Sequence, residues 1–391
     1  MSFFIKIFSI LLVIAIVIMA IFYYIKIPKN NLLPKDNYHK ETEILLKDKI
    51  GQMIMLGFRG VQVDENSYIT NTIRDIKIGG VILFDYDIPS KSFPRNIISP
   101  EQTKKLISDL QSYSTTPLLV SVDAEGGNVN RLKEIYGFLN ILSAKEMGQD
   151  KTLETTEKES IELAKELKEL GFNMNFAPVV DIDTNPQNPI IGALGRSFSS
   201  DPKRVAGNAR VFIENHLENN IISVVKHYPG HGSSTSDSHL GIVDITNTYQ
   251  KEELNPYIEL NKEGLLDVVM TAHIINRSID KEYPATLSPD FLQRILREEI
   301  GFEGVIISDD IQMNAIVDNY GFREAIIKAV NAGCDILLLS NNGTTEYDEQ
   351  LPYKAINIIY DAIKEGKISK ERVEESYHRI YNLKKKFGVI N

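Results

Sequence analysis

Short, almost uninterrupted apolar runs recur along this chain: MIMLGF (53–58), GVILF (80–84), LLVSVD (118–123), FNMNFAPVVD (172–181), IISVVKH (221–227), DVVMTAH (267–273), GVIISDD (304–310) and DILLLS (335–340). Between most of these eight runs lie amphipathic stretches long enough for helices, such as LETTEKESIELAKELKELG (153–171) and PDFLQRILREEIG (289–301). Strands this apolar belong to a parallel sheet whose faces are covered by helices. Eight strand–helix units predict an α/β fold, a single (β/α)8 TIM-type barrel over residues 49–391. A doubly wound open sheet would share the alternation, but no Gly-rich dinucleotide fingerprint follows the first strand. GGNVNR (126–131) resembles neither that fingerprint nor a phosphate-binding loop.

The N-terminus has a different pattern. From Ile7 to Ile25 there is no charge over 19 residues, enough to cross a bilayer, and Tyr23 and Tyr24 suit its interface. No small-residue cleavage site or lipidated cysteine follows. The expectation is a transmembrane helix in residues 1–26, a tether over 27–48 rich in Pro, Asn and charge, and a membrane-anchored, single-pass protein. Its catalytic domain would lie outside the cytoplasm, with the lipid bilayer as a partner through residues 7–25.

Composition narrows the chemistry. A net charge of −10 argues against a nucleic-acid partner, which requires a basic face. The single cysteine, Cys334, excludes an internal disulfide and sits in an apolar run as a small hydrophobe. With no tryptophan, any sugar-binding cleft must use Tyr, Phe or polar contacts.

Five apolar runs end in a titratable residue: Asp123, Asp181, His227, His273 and Asp309. Barrel enzymes build their sites at the C-terminal ends of strands, so these predict a catalytic rim. Just past the fifth run, KHYPGHGSSTSDSH (226–239) holds three of the seven histidines with two glycines and an aspartate. Asp309 could act as nucleophile or base in sugar hydrolysis, or merely cap the helix IQMNAIVDNY; capping is the reading preferred for Asp310. Asp237 and His239 stand two apart, so an extended segment puts both on one face, where the carboxylate could orient the imidazole for proton transfer. His227, His231, Asp237 and His239 also suit a metal cluster, and spacing alone does not choose between the two readings.

These residues resemble glycoside hydrolase family 3, in its β-N-acetylglucosaminidase branch. Alongside KHYPGHGSSTSDSH, the supporting matches are DAEGGNVNRL (123–132), NMNFAPVVDIDTNPQNPIIG (173–192), GRSFSSDP (195–202), VMTAH (269–273), PATLS (284–288) and GVIISDDIQM (304–313). The resemblance implies a retaining exo-β-N-acetylglucosaminidase acting on terminal β-linked N-acetylglucosamine, commonly in peptidoglycan fragments. Asp309 would be the nucleophile and His239, paired with Asp237, the acid/base. Asp123, Arg131, Arg196, Lys226 and His227 would hold the sugar hydroxyls, with no metal or organic cofactor. One departure from the family pattern is the insertion of Ala193, Leu194 and Gly195 before Arg196, which could displace that arginine. Two alternatives compete: a metal-dependent barrel hydrolase using His227, His231 and His239, and a non-catalytic glycan-binding barrel.

Overall fold

The computed structural model describes residues 45–237 and 241–390. The chain divides into two units, 1–46 and 47–391, and only Leu45 and Leu46 of the first are described. In the second unit the eight apolar runs supply the eight strands of one sheet: β1 Ile54–Gly57, β2 Gly80–Leu83, β3 Leu119–Val122, β4 Met174–Asn175, β5 Ile222–Tyr228, β6 Val268–Thr271, β7 Val305–Ile307 and β8 Leu337–Leu339. Each strand from β1 to β7 lies parallel to the next in chain order, and β8 returns to β1 with Ile54 opposite Leu337. Every residue of β1, β2, β3 and β6 is buried, which is why these segments read as solid apolar runs rather than alternating ones.

The connecting helices include α1 Tyr68–Ile76, α2 Pro100–Ser112, α3 Glu154–Leu170, α4 Pro202–Glu218, α5 Asn255–Lys262, α6 Asp290–Glu299, α7 Phe322–Ala332, α8 Leu351–Lys364 and α9 Lys370–Lys386. Local chemistry sets where several begin. Ser99 accepts the Gln102 amide ahead of Pro100, and Asp201 accepts the Lys203 amide ahead of Pro202. In both, a side-chain oxygen satisfies an otherwise orphaned N–H, and a proline occupies the first turn, where its missing N–H costs nothing.

The barrel is nearly closed. Strands β7 and β8 share a single bridge, Ile307 to Ile336. Side chains take up much of the remaining backbone: the Leu338 amide donates to Ser308 Oγ at 3.0 Å, the Ser340 amide to Asp310 Oδ1 at 3.2 Å, and the Ile306 amide to Asp335 Oδ2 at 3.0 Å. Asp335 is fully buried and also binds Arg297 of α6 at 2.9 Å and Arg372 and Arg379 of α9 at 2.6 and 3.1 Å. One carboxylate thus fastens two outer helices to the seam.

Two expectations are corrected. The predicted fold, a single (β/α)8 barrel preceded by a transmembrane helix, gives way to an α/β fold with a nearly closed parallel barrel and no membrane span among the described residues. No described helix is long and apolar enough to cross a bilayer: α3, α4 and α9 have 17 residues each and carry many charges, where a span needs about 20 mostly apolar ones. The segment 7–25 on which the anchor rested lies outside the described residues, so the single-pass anchor, the bilayer partner and the membrane localisation are withdrawn.

Replacing Asp335 with Ala leaves three arginines around an uncompensated pocket. The expected loss is about 3 kcal/mol of stability, measured by urea denaturation. A change below about 0.5 kcal/mol would show that the seam does not depend on this hub.

Candidate active site

The C-terminal ends of the strands open into a cavity of about 350 Å³. Asp123 past β3, Arg131 from the hairpin that follows, Arg196 ahead of α4, Lys226 and His227 of β5, and Asp309 past β7 all line it. The peptide joining Lys226 and His227 is cis.

A chain of alternating charge runs through this wall. Lys226 Nζ lies 2.8 Å from Asp123 Oδ1 and 2.7 Å from Glu125 Oε1. Arg196 grips Glu125 with two bonds of 2.8 Å, and its Nη2 is 3.2 Å from His227 Nε2. His227 Nδ1 in turn lies 2.6 Å from Asp181 Oδ2. A guanidinium can only donate, so Nε2 of His227 accepts and its Nδ1 proton goes to Asp181. Burial alone would raise the Glu125 carboxyl, but Arg196 and Lys226 outweigh it and hold it at about 2. Asp181, fully buried, is likewise lowered against its desolvation by His227. Arg131 stands 3.7 Å from Asp123 at the outer end of the chain.

Glu125 escaped the sequence reading. It lies two residues past Asp123 in DAEGG, and an extended segment would place both carboxylates on one face, as happens here. With the insertion before it, Arg196 still lines the cavity. Gly195 adopts a φ of +68°, its amide bonds to Gly192 O, and the Arg196 amide returns to Ile191 O at 3.1 Å.

The loop after β5 is built on glycines that nothing else could replace. A Cβ on Gly230, at φ +125°, would lie 2.6 Å from Glu253 Cβ, and one on Gly232 only 1.7 Å from the Ile182 carbonyl. Asp181 Oδ1 receives the His231 amide at 2.7 Å, and Glu253 Oε2 receives the Gly232 amide at 3.1 Å. The base of the loop is therefore fixed. Asp237 further along is half-buried and does not line the cavity, while His239 lies outside the described residues.

The remaining strand-end residues have structural partners. His273 uses both nitrogens, bonding Thr286 Oγ1 at 2.8 Å and the Asp310 carbonyl at 2.9 Å. Asp310 accepts the Gln312 and Ser340 amides and the Ser340 hydroxyl, and burial pushes its carboxyl up to about 6. Asp309 does not cap the following helix, Asn314–Tyr320, whose N-cap is Met313. Its Oδ1 accepts the Asp310 amide at 2.8 Å, and it faces the cavity.

The two described members of the histidine cluster are already engaged. Both ring nitrogens of His227 are engaged, and His231 Nδ1 bonds Ser234 Oγ at 2.7 Å. Burial lowers the His231 imidazole to about 4, Asp181 opposing. Among the described residues no group of three or more His, Cys, Asp or Glu is placed to hold an ion.

The glycosyl hydrolase family 3 N-terminal domain matches residues 45–383. The chain belongs to glycosyl hydrolase family 3. A beta-hexosaminidase of Tolumonas auensis is 33% identical over 292 residues, covering 74% of this chain and 83% of that protein. Beta-hexosaminidase A of Pseudoalteromonas piscicida is 30% identical, covering 81% of this chain but 55% of its own length. Among solved structures, a family 3 beta-N-acetylglucosaminidase from Paenibacillus sp. str. FPU-7 matches with a TM-score of 0.78 at 33% identity, over 88% of this chain and 63% of that one. The beta-N-acetylhexosaminidase of Beutenbergia cavernae matches at 0.77 and 25% identity, over 87% and 98%. This chain thus spans under two thirds of the Paenibacillus structure. As a family 3 member it is a glycoside hydrolase with a carbohydrate substrate, and its relatives support beta-hexosaminidase activity.

Burial pushes the Glu253 carboxyl from 4.5 up to about 7, opposed by its bonds to Ser233. A raised folded value means that its contribution to stability is full below the unfolded value and lost as pH climbs through 7. Between pH 5 and 8 the wild type should therefore lose a few degrees more of Tm than Glu253→Gln. Parallel melting curves across that range would refute this.

Proposed function

We propose that the protein is a retaining exo-β-N-acetylglucosaminidase that removes terminal β-linked N-acetylglucosamine, with peptidoglycan fragments as its natural source. The observation that carries this reading is the cavity itself. The carboxylate of Asp309 shares it with Asp123, Arg131, Arg196, Lys226 and His227 in a chain whose relatives are β-hexosaminidases. In this reading Asp123 accepts from sugar hydroxyls while Arg131, Arg196 and Lys226 donate to them. Glu125 holds Arg196 and Lys226 in position. His227, oriented by Asp181, completes the sugar-binding wall.

The reaction follows from these roles. Asp309 attacks the anomeric carbon as the glycosidic C–O bond breaks, and His239 gives its proton to the departing oxygen. The resulting glycosyl ester is opened by water, which returns a proton to His239 and frees Asp309. Asp237 orients His239 and stabilises its charged form. Lys226 and Arg196, pinned before substrate arrives, spend no free energy on reorganising.

Hydrolysis of 4-nitrophenyl β-N-acetylglucosaminide, with and without EDTA, tests the reading first. Turnover indifferent to EDTA supports it; turnover lost to EDTA and restored by Zn²⁺ would transfer the chemistry to the histidine cluster. Asp309→Asn should lower kcat by about a thousandfold or more with little change in substrate binding. Near wild-type turnover there would remove Asp309 from the nucleophile role. His239→Ala should cost less for a nitrophenyl leaving group, which needs little protonation, than for a sugar leaving group. Equal losses would make His239 structural.

A further inference from the structure

A group of aromatic and charged side chains outside the charge network stands beside this cavity, centred on the loop after β2. Asp85 borders the cavity and is 1% exposed, yet neither of its carboxylate oxygens receives a directed hydrogen bond. The Lys133 ammonium lies 2.5 Å from Oδ2 as an ion pair. Buried carboxylate oxygens are rarely left in this state unless something else is meant to meet them. Next to Asp85, Tyr86 and Ile88 line the cavity, and the ring of Phe93 lies 4.6 Å from that of Tyr86. Phe93 is 56% exposed and Ile88 46%. Tyr136 extends the aromatic group, 6.4 Å from Phe93, and the Lys133 ammonium sits 5.6 Å from the Phe93 ring.

The loop that carries these rings is anchored far more firmly than a surface excursion needs. Asp87 at its centre is bound by Arg59 at 2.7 and 2.9 Å and by the fully buried Arg95 at 2.5 Å. Arg95 reaches the Asn341 carbonyl at 2.9 Å. Asn342 accepts the Ile88 amide at 2.9 Å and donates to the Tyr86 carbonyl at 3.0 Å. Exposed aromatic rings held this rigidly lose little entropy when a flat partner packs on them. The apolar face of a pyranose is such a partner, and in a chain without tryptophan Phe and Tyr are the side chains that can offer it a stacking surface.

We propose that Tyr86 and Phe93, with Asp85 and Lys133, form a subsite for the second pyranose of the glycan, the sugar on the leaving-group side of the scissile bond. The ring packs against Phe93, and its hydroxyls meet the Asp85 carboxylate and the Lys133 ammonium. The subsite rests on the exo-glycosidase reading above and adds to it which residues choose the leaving sugar. Its continuity with the cavity that holds Asp309 is what favours a sugar over a protein partner on this exposed patch.

The test separates the two readings. Wild-type protein is assayed on chitobiose, and N-acetylglucosamine is measured as a competitive inhibitor that needs only the inner subsite. In Phe93→Ala, kcat/KM for chitobiose should fall about tenfold while the inhibition constant of N-acetylglucosamine stays the same. Phe93→Tyr should restore the wild-type value, and Asp85→Asn should lower kcat/KM for chitobiose with the same unchanged inhibition constant. An unaltered kcat/KM in Phe93→Ala overturns the subsite, as does an equal weakening of N-acetylglucosamine binding. Failure of the wild type to cleave any β-N-acetylglucosaminide would instead overturn the function on which the subsite rests.

Discussion

A parallel barrel has no hairpins with which to close itself, so its last strands must find backbone partners across the seam, and in this protein that requirement shapes both ends of the molecule. Strands β7 and β8 share a single bridge. The amides left over are taken by Ser308, Asp310 and Asp335, three side chains buried at the seam. At one end Asp335 collects three arginines and draws α6 and α9 against the sheet. At the other end, Asp310 ties Ser340 to the tip of β7, and the residue between the two seam side chains, Asp309, is delivered to the cavity. Closure and the lining of the cavity are thus served by successive residues of one SDD segment.

The second constraint is electrostatic. Glu125, Arg196, Lys226, His227 and Asp181 are all buried, and each would be costly alone. Together the charged members alternate in sign, with His227 bridging Arg196 to Asp181, and nearly every polar atom has a partner at 2.6–3.3 Å. The network makes this wall of the cavity rigid, because no member can move without stranding a neighbour's charge. The same logic explains the glycines after β5. Gly230 and Gly232 let the chain press against Glu253 and Ile182 so that Asp181 and Glu253 can receive its amides.

The rim is a mixture of roles that look alike in sequence. Asp123, His227 and Asp309 face the cavity; Asp181 stands behind His227, and His273 is a post between Thr286 and the Asp310 carbonyl. Position at a strand end brings a residue to the rim but does not say which way it faces or what it meets. The β2 loop extends the lesson. Nothing in FDYDIPSKSFPRN shows that Asp87, Arg95 and Asn342 anchor this loop beside the cavity, with Tyr86 lining it and Phe93 packed on Tyr86.

What the sequence determined by itself is what depends on local pattern: eight strand segments from their solid apolar runs, and the family from long motifs in order. The convergence of Asp123, His227 and Asp309 was legible because strand ends of a parallel barrel share one rim, whereas Arg131, Arg196 and Lys226 were expected only from the family resemblance. The rest was decided only by tertiary structure. Glu125 became the centre of the charge network because residues 71 and 101 positions away folded onto it, and no local signal measures such distances. The incomplete seam, the engagement of both His227 nitrogens, and the burial of the Asp85 carboxylate against Lys133 likewise arise between segments remote in the chain. Periodicity reports which face a residue occupies, whereas burial, pairing and charge balance are properties of the space that several segments enclose together.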